Sequence, residues 1–238
     1  IEVFATIAKD LLPTPSKSHY TFNLRDLAKV FQGMLMVEQK KVNNREQLAR
    51  LWVHENQRVF ADRLTCEEDH DWLRELMKSK VETVFGMKWD EVVPRPRLVY
   101  GDFINGGEAT NRPYEEIEDF DRLKSVVEEY LVNHNQESKQ PMPLVMFSDA
   151  LEHVSRIARV LRQPQGNALL LGVGGSGRQS MTKLATYIAG YSLATVEIVK
   201  GYTMNDWKED VKRILMQAGV KETPTTFLFS DVQIINER

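Results

Sequence analysis

The residues with the plainest chemical potential are GVGGSGRQS, Gly172 to Ser180. Gly172 and Gly177 have the G-x-x-x-x-G spacing of a phosphate loop. Glycines at this spacing let backbone amides turn onto phosphate oxygens, and a helix starting there adds a favourable dipole. The customary lysine is replaced by Arg178, and the customary magnesium-holding hydroxyl by Gln179. A guanidinium keeps the positive charge and can grip phosphate with two parallel donors, yet it need not reach the same oxygen. Ser180 offers a hydroxyl one position late, which serves a metal only if the helix register shifts. The candidate phosphate-binding set is Gly172, Gly174, Gly175, Ser176, Gly177, Arg178, Gln179 and Ser180.

A nucleotide hydrolase of this type needs an acidic pair after a later apolar run. Here that slot in TTFLFSD reads Ser230-Asp231, followed by Val232. Asp231 is the candidate catalytic acid or base and, with Ser180, the candidate magnesium ligand. With lysine, hydroxyl and acid pair all altered, the pattern favours nucleotide binding over fast hydrolysis. Two rival readings exist. One is a glycine-rich turn without a ligand. The other is a dinucleotide fingerprint, because GVGGSG also fits G-x-G-x-x-G and Glu197 lies at a suitable distance. That reading places Glu197 inside the expected strand ATVEIV, whereas a ribose-binding carboxylate belongs at a strand's end.

The elements that position these residues follow from periodicity. Residues 1–87 read as helices only. FNLRDLAKVFQGML carries Leu24, Leu27, Val30, Phe31, Met34 and Leu35 on one face with Asn23 as N-cap. Leu48, Leu51, Trp52, Val59 and Phe60 form a second stripe, capped by Asn44. TCEE reads as a capping box, Thr65 with Glu68, opening a helix that ends near Gly86. Residues 88–140 form a connector: a short strand in RPRLVYGDF, a loop in INGGEATNRP and a helix over YEEIEDFDRLKSVVEEYLVNH.

From 141 the pattern alternates. DALEHVSRIARVLR is a helix with Asp149 as N-cap, and NALLLGV is a buried parallel strand. The glycine loop and a helix follow, then strand ATVEIV, helix TMNDWKEDVKRILMQAG and strand TTFLFSD. The fold class is α/β with a separate all-α part, the helices preceding an incomplete parallel sheet.

Composition narrows the function classes. With 42% hydrophobic and 27% charged residues the 238-residue chain has ordinary globular composition. The net charge of −3 gives no field to attract nucleic acid or anionic membrane. One cysteine, Cys66, excludes a disulfide framework. HENQR lacks the second histidine of a zinc-protease helix, since Arg58 stands there, so His54 reads as a packing residue. The start IEVFATIAKD, without Met or a signal pattern, reads as the middle of a longer chain.

LLPTPSKSHYTFNLRDLAKVFQGML, LWVHENQRVFADRL, RLVYGDF and MFSDALEHVSRIARVL running into GNALLLGVGGSGRQS closely resemble the motor of a dynein heavy chain. The form GVGGSGRQS with FLFSD looks like the axonemal type. The resemblance covers nearly the whole chain. It implies six AAA+ modules in one ring. Residues 1–87 would be the lid of the third module and 141–238 the start of the fourth module's P-loop subdomain. It implies ATP or ADP as ligand, with magnesium possible, and a regulatory role for this site. Arg25 would be the lid's sensor arginine for the neighbouring nucleotide, and Leu144, Val145 and Met146 would cradle adenine. Implied partners are the other modules, accessory chains and, through parts absent here, microtubules, in the cytoplasmic setting of the ciliary or flagellar axoneme. In such sheets the strand that fills the gap beside NALLLGV would lie beyond Arg238.

Overall fold

A computed structural model describes residues 1–106 and 111–234. It divides into two compact units, Ile1–Asp102 with Pro113–Glu118, and Phe103–Arg112 with the chain from Asp119 onward. Residues 107–110 of the expected INGGEATNRP loop lie outside the described residues.

The first unit contains α1 (Glu2–Asp10), α2 (Leu24–Met34), α3 (Arg45–Val59), α4 (Glu67–Lys80) and α5 (Trp89–Val92). A short antiparallel pair, β1 (Tyr100–Gly101) and β2 (Glu115–Glu116), sets Tyr100 opposite Glu116. Asn23 and Asn44 cap α2 and α3 as expected, accepting from the amides of Arg25 and Gln47 at 2.8 Å each. The cap predicted on Thr65 does not form. Cys66 takes the cap position, because the Thr65 amide and hydroxyl are drawn to the Tyr20 hydroxyl at 3.1 and 3.5 Å. Continuing α4, a π turn over Val81–Phe85 ends at left-handed Gly86, where the sequence placed the stop.

The core of this unit joins Val3, Ile7, Tyr20, Val30, Phe60, Leu73 and Met77. The α2 stripe is narrower than its periodicity implies. Val30 is buried, but Leu24, Phe31 and Leu35 face out. Helix α3 is buried nearly all round, including polar His54, Glu55 and Asn56. Burying these groups requires partners. Glu55 Oε1 lies 3.0 Å from His54 Nδ1 and accepts from the Tyr114 hydroxyl at 3.2 Å. At the α4 N-terminus Lys17 Nζ donates to Asp69 Oδ2 at 2.6 Å and to Cys66 Sγ at 3.1 Å. Burial pushes the Asp69 carboxyl up, but hydrogen bonds from Lys17, Tyr20 and Cys66 outweigh it and hold the group at about 2.

The second unit contains α6 (Phe120–Glu137), α7 (Ser148–Arg162), α8 (Arg178–Ile188), β3 (Ser192–Ala194), α9 (Met204–Leu215) and β4 (Thr225–Phe227). The helix predicted over YEEIEDF starts later, at Phe120, because Glu115 and Glu116 are committed to the strand pair and Asp119 caps α6. Helix α7 begins one residue before the predicted cap. Phe147 is its N-cap and Asp149 lies inside the first turn. Leu123, Val127, Leu151, Val154, Leu184 and Ile188 are all but fully buried. Such burial is worth roughly 1.5–3 kcal/mol per large apolar side chain.

The sheet is parallel, as expected, and small: Ser192 pairs with Thr225, Leu193 with Thr226 and Ala194 with Phe227. The strand predicted in ATVEIV lies earlier, so only its first residue belongs to β3, and β4 takes the first three residues of TTFLFSD. The run NALLLGV is not a buried strand. Among the described residues it joins no ladder, and Leu169, Leu171 and Val173 are about four-fifths exposed. An apolar run needs a hydrogen-bonded neighbour to become a strand, and β3 and β4 pair with each other. Among the described residues no helix is long and apolar enough to cross a membrane.

Candidate nucleotide-binding site

The glycine loop lies between the run 167–173 and α8. Gly175 and Gly177 adopt positive φ, +80° and +77°. A side chain would destabilise that left-handed backbone. Gly177 is the N-cap of α8, so the chain enters the helix directly from this turn. The helix is anchored by buried Leu184, Ala185 and Ile188. Its first amides have no intrahelical acceptor and carry the positive end of the dipole. Loop residues 171–176 are exposed.

Arg178 is the first residue of α8. Its Nη2 donates to the Val173 carbonyl at 3.2 Å and its Nη1 to the Leu170 carbonyl at 3.4 Å. The Val173 carbonyl also accepts from the Ser176 amide at 3.3 Å. A Cβ at Gly172 would meet Ser176 Oγ at 3.3 Å and Arg178 Cδ at 3.6 Å, so the arginine stem lies across that glycine. Gln179 is exposed and Ser180 half-buried.

The segment Leu144–Met146 precedes α7. Met146 is buried, Leu144 is partly covered and Val145 is exposed. Asn135 of α6 fixes the approach to it. Asn135 Nδ2 donates to the Met142 carbonyl at 3.0 Å, and Asn135 Oδ1 accepts from the Met142 amide at 2.8 Å.

Asp231 follows β4 and opens a 3-10 turn, Asp231–Gln233. Its Oδ1 accepts from the Val232 amide at 3.0 Å, and the side chain is exposed. Ser230 does not offer its groups freely: its amide donates to Gln233 Oε1 at 2.7 Å, and its hydroxyl lies 3.3 Å from the same oxygen. The Gln233 amide nitrogen donates to Thr195 Oγ1 at 3.0 Å and to the Val196 carbonyl. Sequence reading missed this residue. Its signal was the spacing S-x-x-Q, a capping box at Ser230. Trp207 of α9 packs on Phe229 with ring centroids 5.4 Å apart, bracing the same chain end.

Arg25 is exposed in the first turn of α2, in the other compact unit, and its amide serves the Asn23 cap. Glu197 lies past the end of β3 and is exposed, so it is not held within a strand as the sequence implied. His54 is more deeply buried than expected and lies against Glu55. Among the described residues no cluster of three or more His, Cys, Asp or Glu could hold a metal ion.

Phosphate fits this donor set: left-handed glycines, unpaired first amides of an 11-residue helix and a guanidinium at its first position. The oxygen set for a hard cation is thinner, because Ser230 is engaged with Gln233 and Asp231 with its neighbouring amide.

A helical lid followed by a glycine loop on a parallel α/β unit is the architecture of an AAA+ module pair, and comparison with known families agrees. The AAA+ lid domain matches residues 1–94, and the P-loop containing dynein motor region D4 matches residues 142–238. The chain is 52% identical over 237 residues to dynein axonemal heavy chain 1 of Mus musculus and 51% identical to that of Homo sapiens. It is 44% identical over 247 residues to dynein axonemal heavy chain 3 of Mus musculus. These alignments cover 99–100% of this chain and 6% of each relative. The chain belongs to the dynein heavy chain family, with axonemal members among its relatives. The matches do not favour the dinucleotide reading.

Proposed function

We propose that this segment is part of a motor ring and binds adenine nucleotide at a regulatory or weakly hydrolytic AAA+ site. The carrying observation is the left-handed Gly175–Gly177 turn that opens α8 beside Arg178. Gly172 to Ser180 hold the phosphates through amides, helix dipole and guanidinium. Leu144, Val145 and Met146 receive the adenine. Arg25 reports on the nucleotide of the neighbouring module. Residues 1–87 act as the lid of the third module, 88–140 as a connector and 141–238 as the start of the fourth. Where magnesium binds, Ser180 and Asp231 are its protein ligands, and it would neutralise phosphate charge. Asp231 alone cannot both place that ion and orient a water, so turnover is slow. The whole chain acts with its other AAA+ modules, accessory chains and microtubules in the axoneme of cilia or flagella. It has no nucleic-acid or membrane partner.

The test is ADP titration with and without EDTA, and single-turnover ATP hydrolysis, in a full-length motor whose first and third sites are disabled. ADP affinity should change by less than about tenfold, about 1.4 kcal/mol, on chelation. Turnover should fall far below the ~1–100 s⁻¹ of competent phosphoryl-transfer enzymes. Strong magnesium-dependent turnover in that background refutes the regulatory reading.

A further inference from the structure

We propose that Arg178 is a two-position latch, bracing the loop's own carbonyls without nucleotide and moving to phosphate when nucleotide binds. The inference rests on the nucleotide-binding reading and adds a cost to it. The guanidinium reaches Val173 and Leu170 carbonyls at once, at 3.2 and 3.4 Å, with its stem over Gly172. The two carbonyls are taken by two nitrogens of one rigid plane, whereas a lysine at this position would present its donors from a single atom one bond closer to the backbone. The Val173 carbonyl is shared with the Ser176 amide, so the brace and the turn share one anchor. Leu170 sits in the apolar run that joins no ladder among the described residues. The latch therefore satisfies a carbonyl that a strand would otherwise pair. Phosphate draws the guanidinium by charge-assisted hydrogen bonds. When it moves, both carbonyls are released together. Binding at the loop is thereby coupled to the backbone of 167–173, and part of the phosphate's attraction is spent on opening the brace.

Lysine separates the two positions. Arg178→Lys keeps a charge for phosphate and loses the two-carbonyl brace, whereas Arg178→Ala loses both. The experiment uses the full-length chain with its other nucleotide sites disabled. It reads amide hydrogen exchange over residues 167–181 without nucleotide, and ADP affinity by calorimetry. Exchange should accelerate about fivefold or more in both variants. ADP affinity should stay within about threefold of wild type, or tighten, for Arg178→Lys and fall about tenfold or more for Arg178→Ala. Unchanged exchange in both variants overturns the latch while leaving nucleotide binding intact. Equal loss of affinity in the two variants, each with accelerated exchange, overturns the phosphate position. If wild type shows no saturable ADP binding, the nucleotide reading itself fails, and the phosphate position falls with it.

Discussion

Gln233 ties the chain after β4 to the chain after β3, its amide nitrogen donating to Thr195 Oγ1 at 3.0 Å and to the Val196 carbonyl. Its amide oxygen meanwhile holds the Ser230 amide at 2.7 Å. One side chain thus fixes the spacing of the two strand ends where Asp231 emerges. Gln233→Leu should leave these groups without their partner and cost about 1–3 kcal/mol of local stability. Hydrogen exchange should quicken over 192–196 and 228–233 and stay unchanged in α2 to α4.

Gly177 offers a check on backbone strain. A Cβ there meets only Met181 Cε, at an ordinary 3.7 Å, so its φ of +77° is the obstacle. Gly177→Ala should cost roughly 1–2 kcal/mol, with Asn tolerated better because it visits the left-handed region more readily. Exchange at the first turn of α8 should rank the three proteins Ala fastest, Asn next and Gly slowest.

Asn135 separates the adenine segment from the phosphate loop. Asn135→Ala removes both hydrogen bonds to Met142. ADP affinity should fall by about threefold or more, while pyrophosphate, which has no base, should bind as in wild type. Equal losses for both ligands would mean that the segment before α7 does not receive adenine.

The Lys17–Asp69 pair predicts an acid response. The Asp69 carboxyl is held at about 2 against an ordinary 3.8. A depressed folded value contributes stability that is complete above the ordinary value and fades as pH falls toward about 2. The α1–α4 unit should therefore lose stability over that window, followed by tryptophan fluorescence. Asp69→Asn should be less stable at neutral pH and lose the part of the pH dependence that lies between those two values.

Much of this was legible beforehand, for identifiable reasons. Asn23, Asn44 and the stop at Gly86 are local signals, decided by side chain and backbone within a few residues. The glycine loop and the start of α8 were equally readable, since the loop opens the helix its spacing implies, although the expected strand before it joins no ladder among the described residues. Thr65 was misread because Tyr20, distant in sequence, supplies a competing hydroxyl. Leu169, Leu171 and Val173 were misread because strand burial depends on a neighbour that periodicity does not supply. The seat of Arg178 was invisible, because a side chain's choice between phosphate and carbonyl depends on the path of the loop. Gln233 carried a readable cap pattern, but its bonds to Thr195 and Val196 are long-range.

The pairing of β3 with β4 also carries a cost during folding. Ser192 and Thr225 meet only after the crossover through α9 has closed the intervening chain. Closing that stretch costs entropy before any ladder bond is gained. The contact of Tyr130 in α6 with Tyr187 in α8 closes a longer stretch still. The two strand ends, and with them Gln233 and Asp231, therefore reach their places through closures between distant parts of the chain and not through local signals.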